Sequence, residues 1–179
     1  KARQSSCLSN VKQIMTGVMM YAQDYDEMLC PGAKPAYAGG TLWWTDLVEP
    51  YVKNAQILKC PSQQKEDVGI GWNYQEFGYT SAGDSSYVYG WCTTLAEIEY
   101  PANTILIGDC LDATHSNWDP KRMRLVYRWH PTYYPTRHNE GGNFGLMDGH
   151  AKWDSKQSLA SAEGGNDGPW RYDIGDSLF

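Results

Sequence analysis

The sequence predicts an α+β fold, in which one long N-terminal helix packs on a small, mainly antiparallel sheet with long irregular loops. Apolar residues recur at helical spacing over residues 1–24, a β-branched run at 103–109 has the composition of a strand, and residues 143–154 alternate around a turn. We expect one domain, divided into a helix at 1–25, variable loops at 26–100, a sheet core at 101–154 and a tail at 155–179.

The first helix is predicted from apolar residues that follow each other at intervals of three and four. They are Cys7, Leu8, Val11, Ile14, Met15, Val18, Met19 and Ala22. No capping signature marks the start of the helix, and Lys1 and Arg3 lie where the helix dipole favours acids. We therefore expect the helix to continue upstream of Lys1 in a longer protein. The alternative is a frayed terminus.

The segment 26–100 is expected to hold short elements between turns. Apolar residues at helical spacing predict a helix of a turn or two within residues 42–52, shortened or kinked by Pro50. The further predictions are a short strand at 57–60, an ordered loop at 62–86, a strand at 86–90, a helical turn at 94–98 and, beyond this segment, a strand at 125–129.

The hairpin at 143–154 is predicted from Asp148-Gly149, a pair that suits a two-residue type I′ turn. Pairing outward from this turn places Phe144 opposite Trp153. One face then carries four apolar side chains, those of Phe144, Leu146, Ala151 and Trp153. We expect this face to be buried against the first helix, because a slip of one residue would scramble it.

The composition bears on the class of partner. A net charge of −6 and a pI near 5.1 argue against a nucleic-acid partner. Eight Trp and thirteen Tyr against three Phe are typical of loops anchored by amphipathic rings, and also of sugar-binding surfaces. The rings that favour a carbohydrate-binding surface are Trp72, Trp91, Trp118, Trp129, Tyr133 and Tyr134.

Five cysteines lie at positions 7, 30, 60, 92 and 110, without a CxxC or a Cys/His spacing typical of zinc. An odd number in a loop-rich chain favours an extracytoplasmic protein with up to two disulfides and one free thiol. The alternative is five reduced, buried thiols in a cytosolic protein.

His138, Asp148 and His150, with Asp109 at a strand end, suggest a metal or catalytic site. However, the turn itself requires Asp148 and Gly149, and His150 falls on the polar face of the hairpin. We therefore favour a structural role, in which His138 hydrogen-bonds to Asp148 or Asp109. The sequence has no serine nucleophile elbow, phosphate loop or HExxH motif.

The segments Ser6–Ile14 and Tyr21–Tyr25 resemble the helix that follows the membrane part of type IV pilin-like proteins and type II secretion pseudopilins. His138, nine intervening residues and then Asp148-Gly149 resemble the signature of the bacterial prepilin-type family with a C-terminal H-x9-D-G domain. The resemblance extends to residues 58–62 and 101–109, and leaves out 62–86 and 155–179.

The resemblance implies a leader cleaved by a prepilin peptidase, and a hydrophobic half-helix that anchors the subunit in the inner membrane. Both would lie upstream of Lys1. The implied partners are copies of the chain or other pilin-like subunits, and the head would be periplasmic or extracellular. The resemblance also favours a Cys7–Cys60 disulfide, which would stabilise the fold by about 3–4 kcal/mol. A Cys92–Cys110 pair is a further prediction.

The tail loosely resembles the calcium loop of major pseudopilins. Asp167, Asp173 and Asp176 are weak calcium candidates, because their spacing does not match an EF-hand. The alternative is a solvated tail, and no other cofactor is expected.

The leading functional prediction is a non-enzymatic structural subunit of a type IV pilus-like or type II secretion-like filament. The first alternative is a cell-surface carbohydrate-binding or adhesin module. The second is a metal-dependent hydrolase built on His138, Asp148 and His150.

Overall fold

The structure, a computed structural model, describes residues 1–35, 37, 39–62, 69–73, 77, 94–110 and 137–161. Its helices are α1 (Ala2–Asp24), α2 (Trp44–Val52), α3 (Lys156–Ser161) and two 3-10 helices, Ala55–Leu58 and Leu95–Glu97. Its strands are β1 (Ala33–Pro35), β2 (Thr41–Trp43), β3 (Ile70–Trp72), β4 (Ile105–Asp109), β5 (Gly141–Leu146) and β6 (Ala151–Ser155).

The strands form two antiparallel sheets, β1-β2 and β3-β4-β5-β6. This arrangement confirms the predicted α+β class, with the N-terminal helix lying on the larger sheet. Among the described helices, none has both the length and the apolar character needed to cross a membrane.

Helix α1 confirms the predicted amphipathic pattern. Its side chains at Val11, Ile14 and Val18 are fully buried, and they belong to the main core with residues of α2 and the larger sheet. Gly17 faces α2, where an added Cβ would lie 2.7 Å from Val52 Cγ1. The glycine disfavoured in a helix interior thus permits a close approach of two helices.

The segment 26–100 contains more regular structure than predicted. The helix predicted within residues 42–52 is present as Trp44–Val52, and the turn predicted at 94–98 is present as the 3-10 helix Leu95–Glu97. The strand predicted at 57–60 is wrong, because a 3-10 helix ends at Leu58 and only Lys59 makes a bridge. Strand β3 lies within the predicted loop 62–86. The predicted strands at 86–90 and 125–129 lie outside the described residues.

The predicted strand at 103–109 is confirmed as β4, which pairs with β3 on one side and β5 on the other. A bulge interrupts the β4–β5 register between Ile105 and Ile107. All five residues of β4 and all six of β5 are buried, so this central pair is covered on both faces.

The hairpin exists, but its predicted register is wrong by one residue. Asn143 lies opposite Trp153, and Gly145 lies opposite Ala151. The Gly149 N–H donates to the Leu146 carbonyl at 2.8 Å, and the Leu146 N–H donates to His150 at 2.8 Å, so the loop has three residues. Gly149 takes φ +84°, as the left-handed residue that closes three-residue hairpin loops does.

The shifted register reverses the expected packing of β5. Gly145 faces α1, since a Cβ there would lie 2.4 Å from Met15 Cγ. Neighbouring residues of a strand point to opposite faces, so Phe144 and Leu146 face away from the helix, contrary to the prediction. Ala151 and Trp153 lie on the same face as their partners in β5, which is the helix side. Trp153 is nevertheless 37% exposed, so its predicted burial is wrong.

Candidate functional site

Four titratable side chains meet at one end of the interface between α1 and the larger sheet. They are Cys7, Cys60, Asp109 and His138. One ligand-type atom of each lies within 4.8 Å of the corresponding atoms of the other three, and all four residues are buried. We call this group the buried cluster.

A different part of the chain supplies each member. Cys7 lies on the buried face of α1, Cys60 follows the first 3-10 helix, Asp109 ends β4, and His138 precedes β5. The cluster therefore connects the N-terminal helix to the sheet and to two loops. Any interaction that holds these four groups together also holds α1 on the sheet.

Hydrogen bonds and charge orient the carboxylate of Asp109. Its Oδ2 accepts the Asn143 backbone N–H at 2.7 Å, and its Oδ1 accepts the Cys7 thiol at 3.3 Å. Arg137 Nη2 lies 3.5 Å from Oδ1. These contacts leave Asp109 inside the protein with charged and polar neighbours, as a buried carboxylate requires.

His138 lies between the second thiol and the carboxylate. Its Nε2 is 3.3 Å from Cys60 Sγ and 3.6 Å from Asp109 Oδ2. Its carbonyl oxygen accepts the indole N–H of Trp153 at 2.7 Å, and its own backbone N–H donates to Gly141 at 3.3 Å. The hairpin therefore holds this histidine in place through the backbone.

Arg137 also ties the neighbouring backbone together. Its Nη2 donates to the carbonyl oxygens of Gly69 and Cys110, each at 2.7 Å. Gly69 has φ +80°, and an added Cβ there would lie 2.9 Å from Cys60 Cβ. A side chain at this position would be strained and would push Cys60 out of the cluster.

For both Cys7 and Cys60, the largest single influence on the pKa is the other thiol. Their hydrogen bond raises the pKa of Cys7, as burial also does, and lowers the pKa of Cys60, as His138 and Arg137 do in addition. Burial raises the pKa of Asp109 above its ordinary value, although Arg137 opposes this effect. Burial opposes the lowering of the Cys60 pKa, and within the pair the proton therefore favours Cys7 over Cys60.

The donor set determines what this cluster can do chemically. Two sulfurs, an imidazole nitrogen and a carboxylate oxygen are ligands for a borderline-soft metal ion. Oxidation of the two thiols would instead form a disulfide. Because all four side chains are buried in the described structure, the arrangement suits a structural role better than attack on a substrate.

The sequence-predicted site residues fall into two places. His138 contacts Asp109, one of the two partners proposed for it. Asp148 and Gly149 instead form the hairpin loop, where the Asp148 carboxylate contacts the ring of His150 at 2.6 Å. The side chain of His150 is 74% exposed. Among the described residues, His138 belongs to a ligand group that includes neither Asp148 nor His150, so the predicted hydrolase set is not assembled.

Four of the five cysteines lie within the described residues. Cys7 and Cys60 are neighbours and are not joined by a disulfide in this structure, and Cys30 and Cys110 are also buried. Cys92 lies outside the described residues, and both disulfides stay predictions.

Most of the predicted sugar-binding rings and all of the calcium candidates lie outside the residues that the structure describes. Trp72, one of the rings assigned to a sugar-binding surface, is fully buried against Trp44. The described structure does not include the remaining rings, Trp91, Trp118, Trp129, Tyr133 and Tyr134, or the calcium candidates, Asp167, Asp173 and Asp176.

Comparisons of the chain with protein-family models, with curated protein sequences and with solved structures found no match. The assignment of a function therefore depends on the residues and geometry described above.

Proposed function

We propose that this chain is the head domain of a non-enzymatic structural subunit of a type IV pilus-like or type II secretion-like filament. In this proposal the head is periplasmic or extracellular, an upstream hydrophobic half-helix anchors it in the inner membrane, and a prepilin peptidase processes the precursor. Its partners are copies of itself or other pilin-like subunits.

One observation supports this proposal most directly: both ends of the H-x9-D-G motif hold α1. At one end, His138 lies in the buried cluster with Cys7 of the helix. At the other end, the Gly149 carbonyl oxygen accepts the ammonium group of Lys12 at 2.7 Å. The motif residues thus fix the helix on the sheet at two points along its length.

This use of the motif suits a filament subunit. In such an assembly the N-terminal helix carries the head, so a head that is rigidly fixed to its helix keeps one orientation in every subunit. A catalytic motif would instead present its side chains to a substrate. Here the polar groups of His138 and Asp109 are directed into the protein and contact each other.

The test is processing of the complete gene product. It is expressed with an active prepilin peptidase or, as the control, with a catalytically inactive one, and the mature N-terminus is determined by mass spectrometry. We expect cleavage upstream of Lys1 only with the active enzyme, and a product that stays in the membrane fraction. A gene without an apolar segment upstream of Lys1, or a product that the active enzyme leaves intact, would refute the proposal.

A further inference from the structure

We propose that the buried cluster is a structural zinc site, in which Cys7, Cys60, Asp109 and His138 bind one Zn²⁺ ion. This site is independent of the filament proposal, because it depends only on the chemistry and geometry of the folded head. It also differs from the metal sites predicted from the sequence, which used Asp148 and His150 or the acidic tail.

Three contacts among the ligand residues have the spacing of a tetrahedral zinc site. Zinc bonds to sulfur at about 2.3 Å and to nitrogen or oxygen at about 2.0–2.1 Å, so the ligand atoms of a tetrahedral site lie about 3.3–3.8 Å apart. Cys7 Sγ is 3.3 Å from Asp109 Oδ1, Cys60 Sγ is 3.3 Å from His138 Nε2, and His138 Nε2 is 3.6 Å from Asp109 Oδ2. One ligand atom from each of the four residues lies within 4.8 Å of those of the other three.

Charge balance also favours a divalent cation. Two thiolates, one carboxylate and a neutral imidazole carry three negative charges in a site where every ligand is buried. A Zn²⁺ ion cancels two of them, and the guanidinium of Arg137, 3.5 Å from Asp109, balances the third. The loaded site is therefore neutral overall, which burial in a protein interior demands.

The groups around the ligands are those that orient a metal site. The Asn143 backbone N–H holds Asp109 Oδ2 at 2.7 Å, and the Ser62 backbone donates a hydrogen bond to Cys60. Backbone donors of this kind fix the direction of ligand lone pairs. Because the protein supplies four ligands, no position is left for water or substrate, and the site is of the closed structural type.

Zinc would stabilise the fold by connecting segments that are distant in sequence. The site joins α1 to the loop after the first 3-10 helix, to the end of β4 and to the loop before β5. Binding displaces any proton held by the two sulfurs to solvent, and it leaves the oxidation states of sulfur and zinc unchanged. A Cys7–Cys60 disulfide is the competing state of the same two sulfurs, and it excludes the ion.

The test measures metal content and ligand type in the 179-residue chain. The protein is purified under reducing conditions, incubated with Zn²⁺, dialysed, and analysed for metal by mass spectrometry of the elements and of the intact native protein. We expect close to one zinc ion per chain. In a parallel sample loaded with Co²⁺, we expect the strong visible bands of a tetrahedral ion and a sulfur-to-cobalt charge-transfer band.

Matched variants identify the ligands. Cys60→Ser and His138→Ala should lose most of the bound zinc, whereas Cys30→Ser and His150→Ala should keep it. Cys30 is a buried thiol outside the cluster, and His150 is an exposed histidine. The Co²⁺ spectrum of the unaltered chain keeps the test decisive if a ligand variant does not fold.

Three results would overturn the proposal. The first is reduced protein that retains no stoichiometric zinc after dialysis. The second is a bound Co²⁺ ion with an octahedral spectrum and no charge-transfer band. The third is purified chain whose mass is lower by two hydrogens, with Cys7 and Cys60 joined in peptide mapping and no zinc taken up after mild reduction.

Discussion

Replacing Gly145 with alanine is expected to destabilise the protein by about 1–3 kcal/mol, because the added methyl group enters a filled space. An ideal Cβ would lie 2.4 Å from Met15 Cγ, 2.7 Å from Met15 Sδ and 2.8 Å from Ile107 Cγ1. Met15 and Ile107 are both fully buried. In a strand position with free space, the same change would stabilise by roughly 0.5–1 kcal/mol. The sign of the effect therefore reports which face of β5 lies under α1.

A double-mutant cycle assigns this cost to the helix. Met15→Ala alone should cost about 2–5 kcal/mol. In that background Gly145→Ala should cost less, because the vacated space accepts the methyl group, with a coupling of about 0.5–3 kcal/mol. Met20 is the matched control, since it lies on the same helix but is 45% exposed. Met20→Ala should change stability by less than about 0.5 kcal/mol and be additive with Gly145→Ala.

Urea unfolding followed by circular dichroism provides these free energies. In thermal unfolding, a loss of 2 kcal/mol corresponds to a decrease in Tm of roughly 4–8 °C for a chain of this size. A neutral or stabilising Gly145→Ala would refute the observed register. It would support the two-residue turn instead, in which Gly145 faces solvent and Phe144 faces the helix. Additivity with Met15→Ala would refute the contact between β5 and α1.

Three further predictions concern single interactions. Lys12→Met should destabilise the protein by roughly 1 kcal/mol, because the Gly149 carbonyl oxygen loses a charged donor at 2.7 Å. Urea unfolding measures this loss, with Gln13→Met at an exposed position as the control. Burial raises the pKa of Asp148, but hydrogen bonds from the His150 backbone and ring outweigh it, so the pKa lies below its ordinary value. The Asp148 carboxylate therefore adds stability above about pH 4 that is lost as pH falls, and Asp148→Asn should show a smaller loss of Tm between about pH 5 and pH 2; equal losses would contradict this. Burial raises the pKa of Cys30 to about 12, so native Cys30 should resist iodoacetamide at pH 8 and react once unfolded, as followed by mass spectrometry.

The sequence was a good guide wherever the signal lies in neighbouring residues. Helix α1 was predicted because its apolar period depends on the chain's own geometry, and β4 because a short β-branched run between turns has few alternatives. The existence of the hairpin followed in the same way from Asp148-Gly149. In each case the local pattern and the final environment agree.

The local sequence pattern could not predict the register of the hairpin. An Asp-Gly pair fits both a two-residue and a three-residue loop, and the choice between them decides which face meets the helix. The prediction assumed that β5 has one dry face, so it assigned Phe144 and Leu146 to α1. In the structure both faces of β5 are buried, and the helix side is occupied by Gly145, whose lack of a side chain makes room for Met15.

Sequence alone determined the α+β class and the length and buried face of α1, and it singled out His138, Asp109 and the cysteines as candidates. Only the tertiary structure decided that Cys7, Cys60, Asp109 and His138 form one buried cluster, while Asp148 and His150 remain apart. The physical reason is chain separation. A zinc motif is readable when its ligands share a turn or a loop, whereas these four come from α1, two loops and the end of β4, and only the packing of helix on sheet brings them together.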